Sequence, residues 1–210
     1  MVSSSSSTSN QISFFHEILR KATHMGALII PGGYYFLKLE KKEMLMIMVP
    51  ITVLMIIIDI SRLRQWSFWQ SFAKNIVSPI IRQHEIEGDF TGASYILISV
   101  CLTVALYSKP IAVAALAFII VGDSLAALIG RKFGRHKFGH KSIEGSMGCL
   151  LGTMMVAIFV PDLSLQIAVS GAVVATIIEA FPMGVDDNVS VPIISGLFMT
   201  LLEKFFLFFR

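Results

Sequence analysis

Seven stretches of the sequence are apolar over lengths that match a lipid bilayer. They run at about 16 to 37, 44 to 60, 93 to 107, 110 to 130, 143 to 160, 163 to 181 and 189 to 209. Roughly 17 to 25 apolar residues cross the hydrocarbon core as a helix. Hydrophobic residues form 55% of the 210-residue chain, more than a compact soluble domain of this size can bury. The sequence therefore predicts an all-α, polytopic membrane bundle of about seven transmembrane helices.

The segments outside these stretches are short. Residues 1–10 are serine-rich and are predicted to be a disordered tail, which leaves residues 11–210 as a single membrane-embedded domain. Between the second and third stretches, residues 65–83 place tryptophans and other apolar residues at helical spacing among basic ones. This pattern predicts an amphipathic helix in the membrane interface. A helix packed on the bundle is an equal alternative.

The distribution of basic residues predicts a cytoplasmic N-terminus. When the seven spans alternate from that side, eleven Lys and Arg residues fall on the cytoplasmic side and six on the other, as the positive-inside rule prefers. Every polar cluster described below then lies at the cytoplasmic face, which predicts one active site there. The net charge is only +3, and no nucleic-acid partner is predicted. The oligomeric state stays open, with a homo-oligomer among the alternatives.

The most informative polar segment follows the fourth stretch. Asp123 ends an apolar run, and a carboxylate there needs a cation, for which Mg²⁺ or another divalent ion shared with substrate phosphates is the natural one. Glycines allow the backbone to approach an anion closely, and basic residues neutralise a polyphosphate. A topology signal would explain the basic residues alone, but not the acid and the glycines. The predicted phosphate-binding segment consists of Gly122, Asp123, Ser124, Ala126, Gly130, Arg131, Lys132, Gly134, Lys141, Ser142, Glu144 and Gly145.

Further ionisable residues lie at or within predicted spans, where burial costs on the order of 3 kcal/mol or more. The resulting candidates for phosphate or substrate binding are Arg20, Lys21, His24, Asp59, Arg62, Arg82, Glu85, Glu179 and Asn188. Arg20 and Lys21 could instead snorkel at the start of the first span. Asp59 with Arg62, and Arg82 with Glu85, are three residues apart and could be local ion pairs.

Three consecutive polar side chains precede the last stretch. Asp186, Asp187 and Asn188 could ligate a metal, orient a hydroxyl or cap the helix, with Asp187 or Asn188 as the N-cap. Capping alone does not explain two adjacent acids, which repel each other unless a positive group lies between them. Asp123 and Asp187 are accordingly the predicted metal ligands.

These motifs resemble a known family. The pattern Asp123-x-x-Ala126-x-x-x-Gly130-x-x-x-Gly134, followed by Lys141-Ser142-x-Glu144-Gly145, is similar to the CTP-binding motif of dolichol kinases, phytol kinases and CTP-dependent diacylglycerol kinases. Three further features fit this family, namely Arg20-Lys21-x-x-His24, Arg82-x-x-Glu85 and Asp186-Asp187-Asn188 with Pro192. The resemblance runs from about residue 17 to about residue 196. It implies a polytopic kinase domain that moves the terminal phosphate of CTP to a lipid alcohol.

The resemblance also implies roles for residues. Asp123 is expected to hold Mg²⁺ on the nucleotide phosphates, and Lys141 is expected to bind the β- and γ-phosphates together with Arg131 or Lys132. Glu144 would fix Lys141 or contribute to the metal. Asp186 or Asp187 would accept the proton of the lipid hydroxyl or hold a second metal.

The chain departs from dolichol kinases in two ways. It is much shorter, and it has His140-Lys141-Ser142 where they usually have Lys-Lys-Thr. It is closer to the phytol kinase and diacylglycerol kinase branches and to small prokaryotic members. The acceptor lipid, of diacylglycerol, phytol or polyprenol type, stays open.

Two other functions remain alternatives. A CDP-lipid synthase of the phosphatidate cytidylyltransferase type also uses CTP and Mg²⁺ at a membrane, but its usual signature is missing here. A transporter or anion channel would use the basic loop as a selectivity element. The symmetric, discontinuous helices that would favour a transporter are not evident in the sequence.

Overall fold

The computed structural model describes residues 20–64, 66, 90–139, 141–181 and 184–209. Its elements are α1 Ile29–Phe36, α2 Lys41–Leu63, α3 Gly92–Leu106, α4 Lys109–Phe133, β1 Lys137–Phe138, β2 Lys141–Ser142, α5 Ile143–Phe159, α6 Leu165–Ala180 and α7 Asp187–Phe208. Residues 20–26 are also helical and precede α1. The predicted tail, nearly all of the predicted interfacial helix, and both Arg82 and Glu85 lie outside the described residues.

The helices follow the predicted apolar stretches, with one difference at the first. Each of the six later stretches forms one helix, whereas a turn at Ala27 and Leu28 separates the helical residues 20–26 from α1. Pro31 has no N–H group to donate to the carbonyl of Ala27. That carbonyl instead accepts a hydrogen bond from the backbone of Ile30 at 3.0 Å. The tighter bond interrupts the single helix that the sequence predicted.

The helix lengths confirm an all-α membrane protein but do not establish seven complete crossings. Three helices, α2, α4 and α7, contain 23, 25 and 22 residues and are long and apolar enough to cross a membrane. The apolar helices α3, α5 and α6 contain 15, 17 and 16 residues. At 1.5 Å per residue these three are shorter than a hydrocarbon core of about 30 Å.

Helix α4 lies at the centre of the bundle. Every residue from Ile111 to Ile120 is buried, and α4 packs against α1, α3, α5, α6 and α7. By contrast, α2 and α7 expose large apolar side chains such as Leu54 and Phe205. Asp123 comes three residues after this buried part of α4, so the helices that pack around α4 lie close to it.

Candidate functional site

A cavity of about 370 Å³ lies where the last turns of α4 and α6, the first turn of α5 and the β1–β2 hairpin meet the helical residues 20–26. We call it the basic cavity. Its lining comprises Arg20, Lys21, Asp123, Ala126, Ala127, Gly130, Arg131, Lys137, Lys141, Ser142, Gly145, Ser146 and Glu179. Five of these side chains are basic and two are acidic. The excess of positive charge suits an anion that carries several negative charges.

Two side chains of the first helical segment lie against the carboxylate of Asp123. Lys21 forms an ion pair with Asp123, and Nε2 of His24 lies 3.5 Å from Oδ2 of Asp123. Lys21 is only 2% exposed, which excludes the alternative that it snorkels to the membrane surface. The fold therefore brings together the predicted N-terminal cations and the predicted acid, although Lys21 and Asp123 are 102 positions apart in sequence.

Two carboxylates hold the ammonium group of Lys141. Its Nζ lies 2.5 Å from Oε1 of Glu179 and 2.9 Å from Oδ2 of Asp187. Burial lowers the pKa of Lys141, but the charge of Glu179 and the hydrogen bonds to Glu179 and Asp187 outweigh that effect and raise its pKa above the ordinary value. Lys141 is therefore a stable cation in the cavity wall at neutral pH.

Glu144 contacts the hairpin and not Lys141. Its carboxylate accepts hydrogen bonds from the backbone N–H of His136 at 3.2 and 3.3 Å, and it lies 2.7 Å from Nδ1 of the His136 ring. The contact with Lys141 that the sequence analysis expected of Glu144 is thus made by Glu179 and Asp187. Glu144 thereby holds His136, the residue before β1, in place. This contact helps to position Lys137, the first residue of β1.

The β1–β2 hairpin delivers two lysines to the cavity. Lys137 pairs with Ser142 across the hairpin, and Phe138 pairs with Lys141. Gly139 begins the connection with a φ of 58°, a conformation that glycine adopts without steric cost. Both Lys137 and Lys141 line the cavity, each from its own strand of the hairpin.

Helix α5 begins at the cavity. Oγ of Ser142 caps it by accepting a hydrogen bond from the backbone N–H of Gly145 at 3.1 Å. A Cβ atom at Gly145 would lie 3.1 Å from the carbonyl oxygen of Ala126 and 3.3 Å from Cα of Gly130. These glycines therefore let α4 and α5 approach each other, whereas the sequence analysis expected an approach to an anion. The N-terminus of α5 still offers partial positive charge to a phosphate.

Asp186 is the N-cap of α7. Its Oδ1 accepts hydrogen bonds from the backbone N–H of Asn188 at 2.9 Å and from Nδ2 of Asn188 at 2.7 Å. The sequence analysis named Asp187 or Asn188 as the capping alternative, so the cap begins earlier than expected. Asp187 is the first residue of α7 and reaches Lys141. None of the three residues lines the basic cavity.

Asp59 belongs to a second buried cluster, which we call the Asp59 network. Its Oδ2 accepts hydrogen bonds from the backbone N–H of Thr91 at 2.8 Å, from Oγ1 of Thr91 at 2.9 Å and from Oγ of Ser94 at 2.6 Å. Nε of Arg62 donates to Oδ1 at 3.3 Å. The network joins the end of α2 to the start of α3. Asp59 and Arg62, which the sequence analysis predicted to bind phosphate or substrate, do not line the basic cavity. Their contacts described here are with other residues of the protein.

Some residues of the predicted phosphate-binding segment lie away from the cavity. Ser124 follows Asp123 by one position, which rotates its side chain by about 100° around the helix, and its hydroxyl donates to the carbonyl of Ile120 at 2.7 Å. Nζ of Lys132 lies 5.3 Å from the ring centroid of Phe133. Two further predicted residues that are absent from the cavity lining are Gly122 and Gly134.

The cavity also contains Ala127 and Ser146, which the sequence analysis did not assign to the site, and Lys137, which belongs to the basic run that was expected to neutralise a polyphosphate. Oγ of Ser146 is buried and has no hydrogen-bond partner among the described residues. Its position four residues after Ser142 places it on the same helix face, a spacing that could have identified it. Nothing in the basic run of sequence distinguished Lys137 from Lys132, because that distinction depends on the hairpin register.

The predicted metal ligands differ in how well they fit that role. In the described ranges there is no group of three or more His, Cys, Asp or Glu side chains arranged for a metal. Mg²⁺ does not require such a group, because it usually combines one or two carboxylates with substrate phosphates and water. Asp123 fits this mode as a carboxylate that lines the cavity beside several basic side chains. Asp187 fits it less well, since it pairs with Lys141 and does not line the cavity.

Comparison with known proteins finds relatives along most of the chain. It is 28% identical over 189 residues to an uncharacterized protein of Rickettsia prowazekii, covering 86% of this chain and 91% of the relative. It is 26% identical over 219 residues to CTP-dependent diacylglycerol kinase 1 of Saccharomyces cerevisiae, covering 91% and 75%. It is 32% identical over 136 residues to a probable phytol kinase 1 of Glycine max, covering 54% and 42%.

The names of these relatives confirm the resemblance to CTP-dependent lipid kinases that the sequence analysis drew from the segment between Asp123 and Gly145. The similarity to the yeast kinase extends over nearly the whole chain and so is not confined to that segment. No family model and no solved structure matches the chain.

Proposed function

We propose that this protein transfers the terminal phosphate of CTP to the hydroxyl group of a membrane lipid alcohol of diacylglycerol, phytol or polyprenol type. The observation that carries the proposal is the basic cavity, in which the motif residues Asp123, Arg131 and Lys141 meet the N-terminal residues Arg20 and Lys21. The names of the relatives, CTP-dependent diacylglycerol kinase and phytol kinase, support CTP as donor and a lipid alcohol as acceptor.

The cavity offers what phosphoryl transfer requires. Such transfer depends on positioning and on neutralising the charge of the transferred group. Arg131, from the end of α4, and Lys141, from β2, both line the cavity and are suited to bind the β- and γ-phosphates, together with Lys137. The N-terminus of α5, at Ser142, adds a further partial positive charge.

A divalent cation is part of the proposal. Mg²⁺, when bound, would neutralise charge on the nucleotide phosphates, and Asp123 is the residue that would hold it. The ion pair with Lys21 holds the carboxylate of Asp123 at the cavity. Arg20 and Lys21 would then add to the positive charge around the phosphates.

We further propose that residues 11–210 form one kinase domain, that the chain crosses the membrane about seven times, and that its N-terminus and the basic cavity are cytoplasmic. The exposed Arg131, Lys132 and Arg135 beside the cavity support this orientation. Met147 and Phe181, which follow Ser146 and Glu179 closely in sequence, are 60% and 64% exposed. Such apolar side chains at the edge of the cavity suit lateral entry of a lipid from the bilayer.

The test is a transfer assay with the purified full chain in liposomes. Radiolabelled γ-phosphate of CTP, or of ATP in parallel, is offered with diacylglycerol, phytol or a polyprenol. We expect a labelled phospholipid and CDP with at least one lipid, and little label from ATP. Pyrophosphate with a CDP-lipid would instead identify a CDP-lipid synthase. A protein that binds nucleotide yet labels none of the lipids would contradict the kinase proposal.

A further inference from the structure

The proposed transfer needs a group that accepts the proton of the lipid hydroxyl. Several carboxylates near the basic cavity are engaged in other contacts. Asp186 caps α7, and Glu144 binds His136, the residue that precedes the hairpin. Asp123 pairs with Lys21 and is the residue suited to a metal. Within the described ranges, these contacts leave the two carboxylates that hold Lys141.

Glu179 differs from Asp187 in its surroundings. Glu179 is 3% exposed and lines the cavity, whereas Asp187 lies at the start of α7 outside the lining. Oε1 of Glu179 contacts Lys141, and Oε2 is buried without a hydrogen-bond partner in the part of the chain that the structure describes. Asp187 gains stability as an anion from the N-terminus of α7. Glu179 has no such helix terminus, and its second oxygen is available to accept a hydrogen bond.

The neighbours of Glu179 suit a lipid. Phe181, two residues later, contacts Phe138 in a tilted arrangement with ring centroids 6.2 Å apart. Phe138 is the residue paired with Lys141 in the hairpin. The ion pair between Lys141 and Glu179 is therefore bordered by aromatic side chains, one of which is largely exposed.

We propose that Glu179 is the general base that accepts the proton of the lipid hydroxyl, and that Lys141 holds it as a carboxylate until the nucleotide phosphates arrive. This inference rests on the proposed kinase function. The sequence analysis had placed the base at Asp186 or Asp187. Asp186 caps α7 and Asp187 lies outside the cavity lining, whereas Glu179 lines the cavity with its second oxygen unpaired, and the role therefore shifts to Glu179.

The proton and electron balance of the step is simple. The hydroxyl oxygen forms a bond to the γ-phosphorus, the bond from that phosphorus to the bridging oxygen breaks, and its electron pair leaves with CDP. The hydroxyl proton passes to Glu179. Bound phosphates share the ammonium of Lys141 and bring negative charge close to Glu179, and both effects favour proton uptake by a buried carboxylate. Glu179 thus becomes an effective base when the donor is bound.

The test compares Glu179→Gln with Asp187→Asn in the full chain, with transfer rates measured at saturating CTP between about pH 5 and pH 9. The wild-type rate should rise with pH and then level off as the base ionises. Glu179→Gln should lower the plateau by about 10²- to 10⁴-fold and remove the rising limb. Its CTP affinity should be unchanged or higher. Asp187→Asn should lose less activity and keep the rising limb.

Three outcomes would overturn this assignment. One is a Glu179→Gln protein with a rising limb and near wild-type rate. Another is loss of the rising limb in Asp187→Asn alone. The third is a Glu179→Gln protein that recovers with more Mg²⁺, since Glu179 would then be a metal ligand.

If Glu179→Gln does not fold, Glu179→Asp replaces it, and we expect a lower plateau with the rising limb kept. An unchanged plateau in Glu179→Asp would also contradict the role. Inactive wild-type protein would instead contradict the kinase proposal itself.

Discussion

The basic cavity and the Asp59 network both place a carboxylate beside a basic side chain within a membrane bundle, yet they differ in how completely their polar atoms are paired. In the Asp59 network, both oxygens of Asp59 accept hydrogen bonds from Arg62, Thr91 and Ser94. In the basic cavity, Oε2 of Glu179 and Oγ of Ser146 are buried without a hydrogen-bond partner among the described residues. The cavity also holds five basic side chains around open space.

This difference distinguishes charged residues that stabilise the fold from charged residues that can bind a ligand. A buried ion cluster whose acceptors are all paired gains nothing from a ligand, and removal of one member leaves the others unsatisfied. A cluster with open volume, unpaired atoms and excess positive charge gains by binding an anion. An ionisable residue in a span is therefore only a candidate for function, and its partners decide between the two roles.

The same substitution in both clusters gives the largest contrast. Asp123→Asn removes the anionic ligand proposed for the metal and should lower phosphate transfer by about 10³-fold or more. The protein should remain folded, because the amide can still accept a hydrogen bond from Lys21. Radiolabel transfer measures the first effect, and size-exclusion chromatography with thermal unfolding in detergent checks the second. Substantial transfer by Asp123→Asn would remove this residue from the mechanism.

Asp59→Asn is the matched control and should show the opposite pattern. Loss of the charge removes the carboxylate that Nε of the buried Arg62 contacts, so the free energy of unfolding should fall by about 3 kcal/mol. Transfer per folded molecule should stay close to that of the wild type. Thermal unfolding and transfer rates measured on the same preparation test both points. If Asp59→Asn instead lost transfer at unchanged stability, the Asp59 network would have to be part of the site.

The sequence predicted the helices because apolar runs of bilayer length indicate membrane helices directly. It predicted much of the cavity because an acid such as Asp123 at the end of such a run is costly to bury, and that cost indicates function. The resemblance then connected Asp123 with Lys141 and with Arg20 and Lys21. The division of the first helix was missed, because it depends on the local hydrogen bonds around Pro31.

The details that could not be predicted depend on the register of the β1–β2 hairpin and on the rotation of each helix about its own axis. Spacing does not reveal which carboxylate meets Lys141, since Glu144 is near in sequence while Glu179 comes from another helix. Likewise, the rotation of α4 places Ser124 against its own helix backbone. Such choices follow from how helices pack around α4, and a single sequence gives no measure of that packing.

The contrast between Lys137 and Lys132 tests the cavity lining with two residues of equal charge. Lys137→Ala removes a cation from the cavity and should raise the KM for CTP by about tenfold, a typical effect for one charge-assisted phosphate contact. Lys132→Ala removes an exposed cation that lies over Phe133, and the KM should change by less than about twofold. Steady-state kinetics over a range of CTP concentrations measures both. Equal changes in KM would mean that the basic run acts only through its overall charge.

The smallest expected effect concerns the unpaired hydroxyl of Ser146. If this hydroxyl donates to a nucleotide phosphate, Ser146→Ala loses one hydrogen bond from an uncharged donor, worth about 1 kcal/mol, and the KM for CTP should rise about fivefold. Ser170→Ala is the matched control, because the hydroxyl of Ser170 donates to the carbonyl of Gln166 at 2.7 Å, away from the cavity. Its KM should be that of the wild type. An unchanged KM in Ser146→Ala would show that an unpaired buried hydroxyl in the cavity wall does not by itself indicate a ligand contact, and the distinction from the Asp59 network would then rest on the charged residues alone.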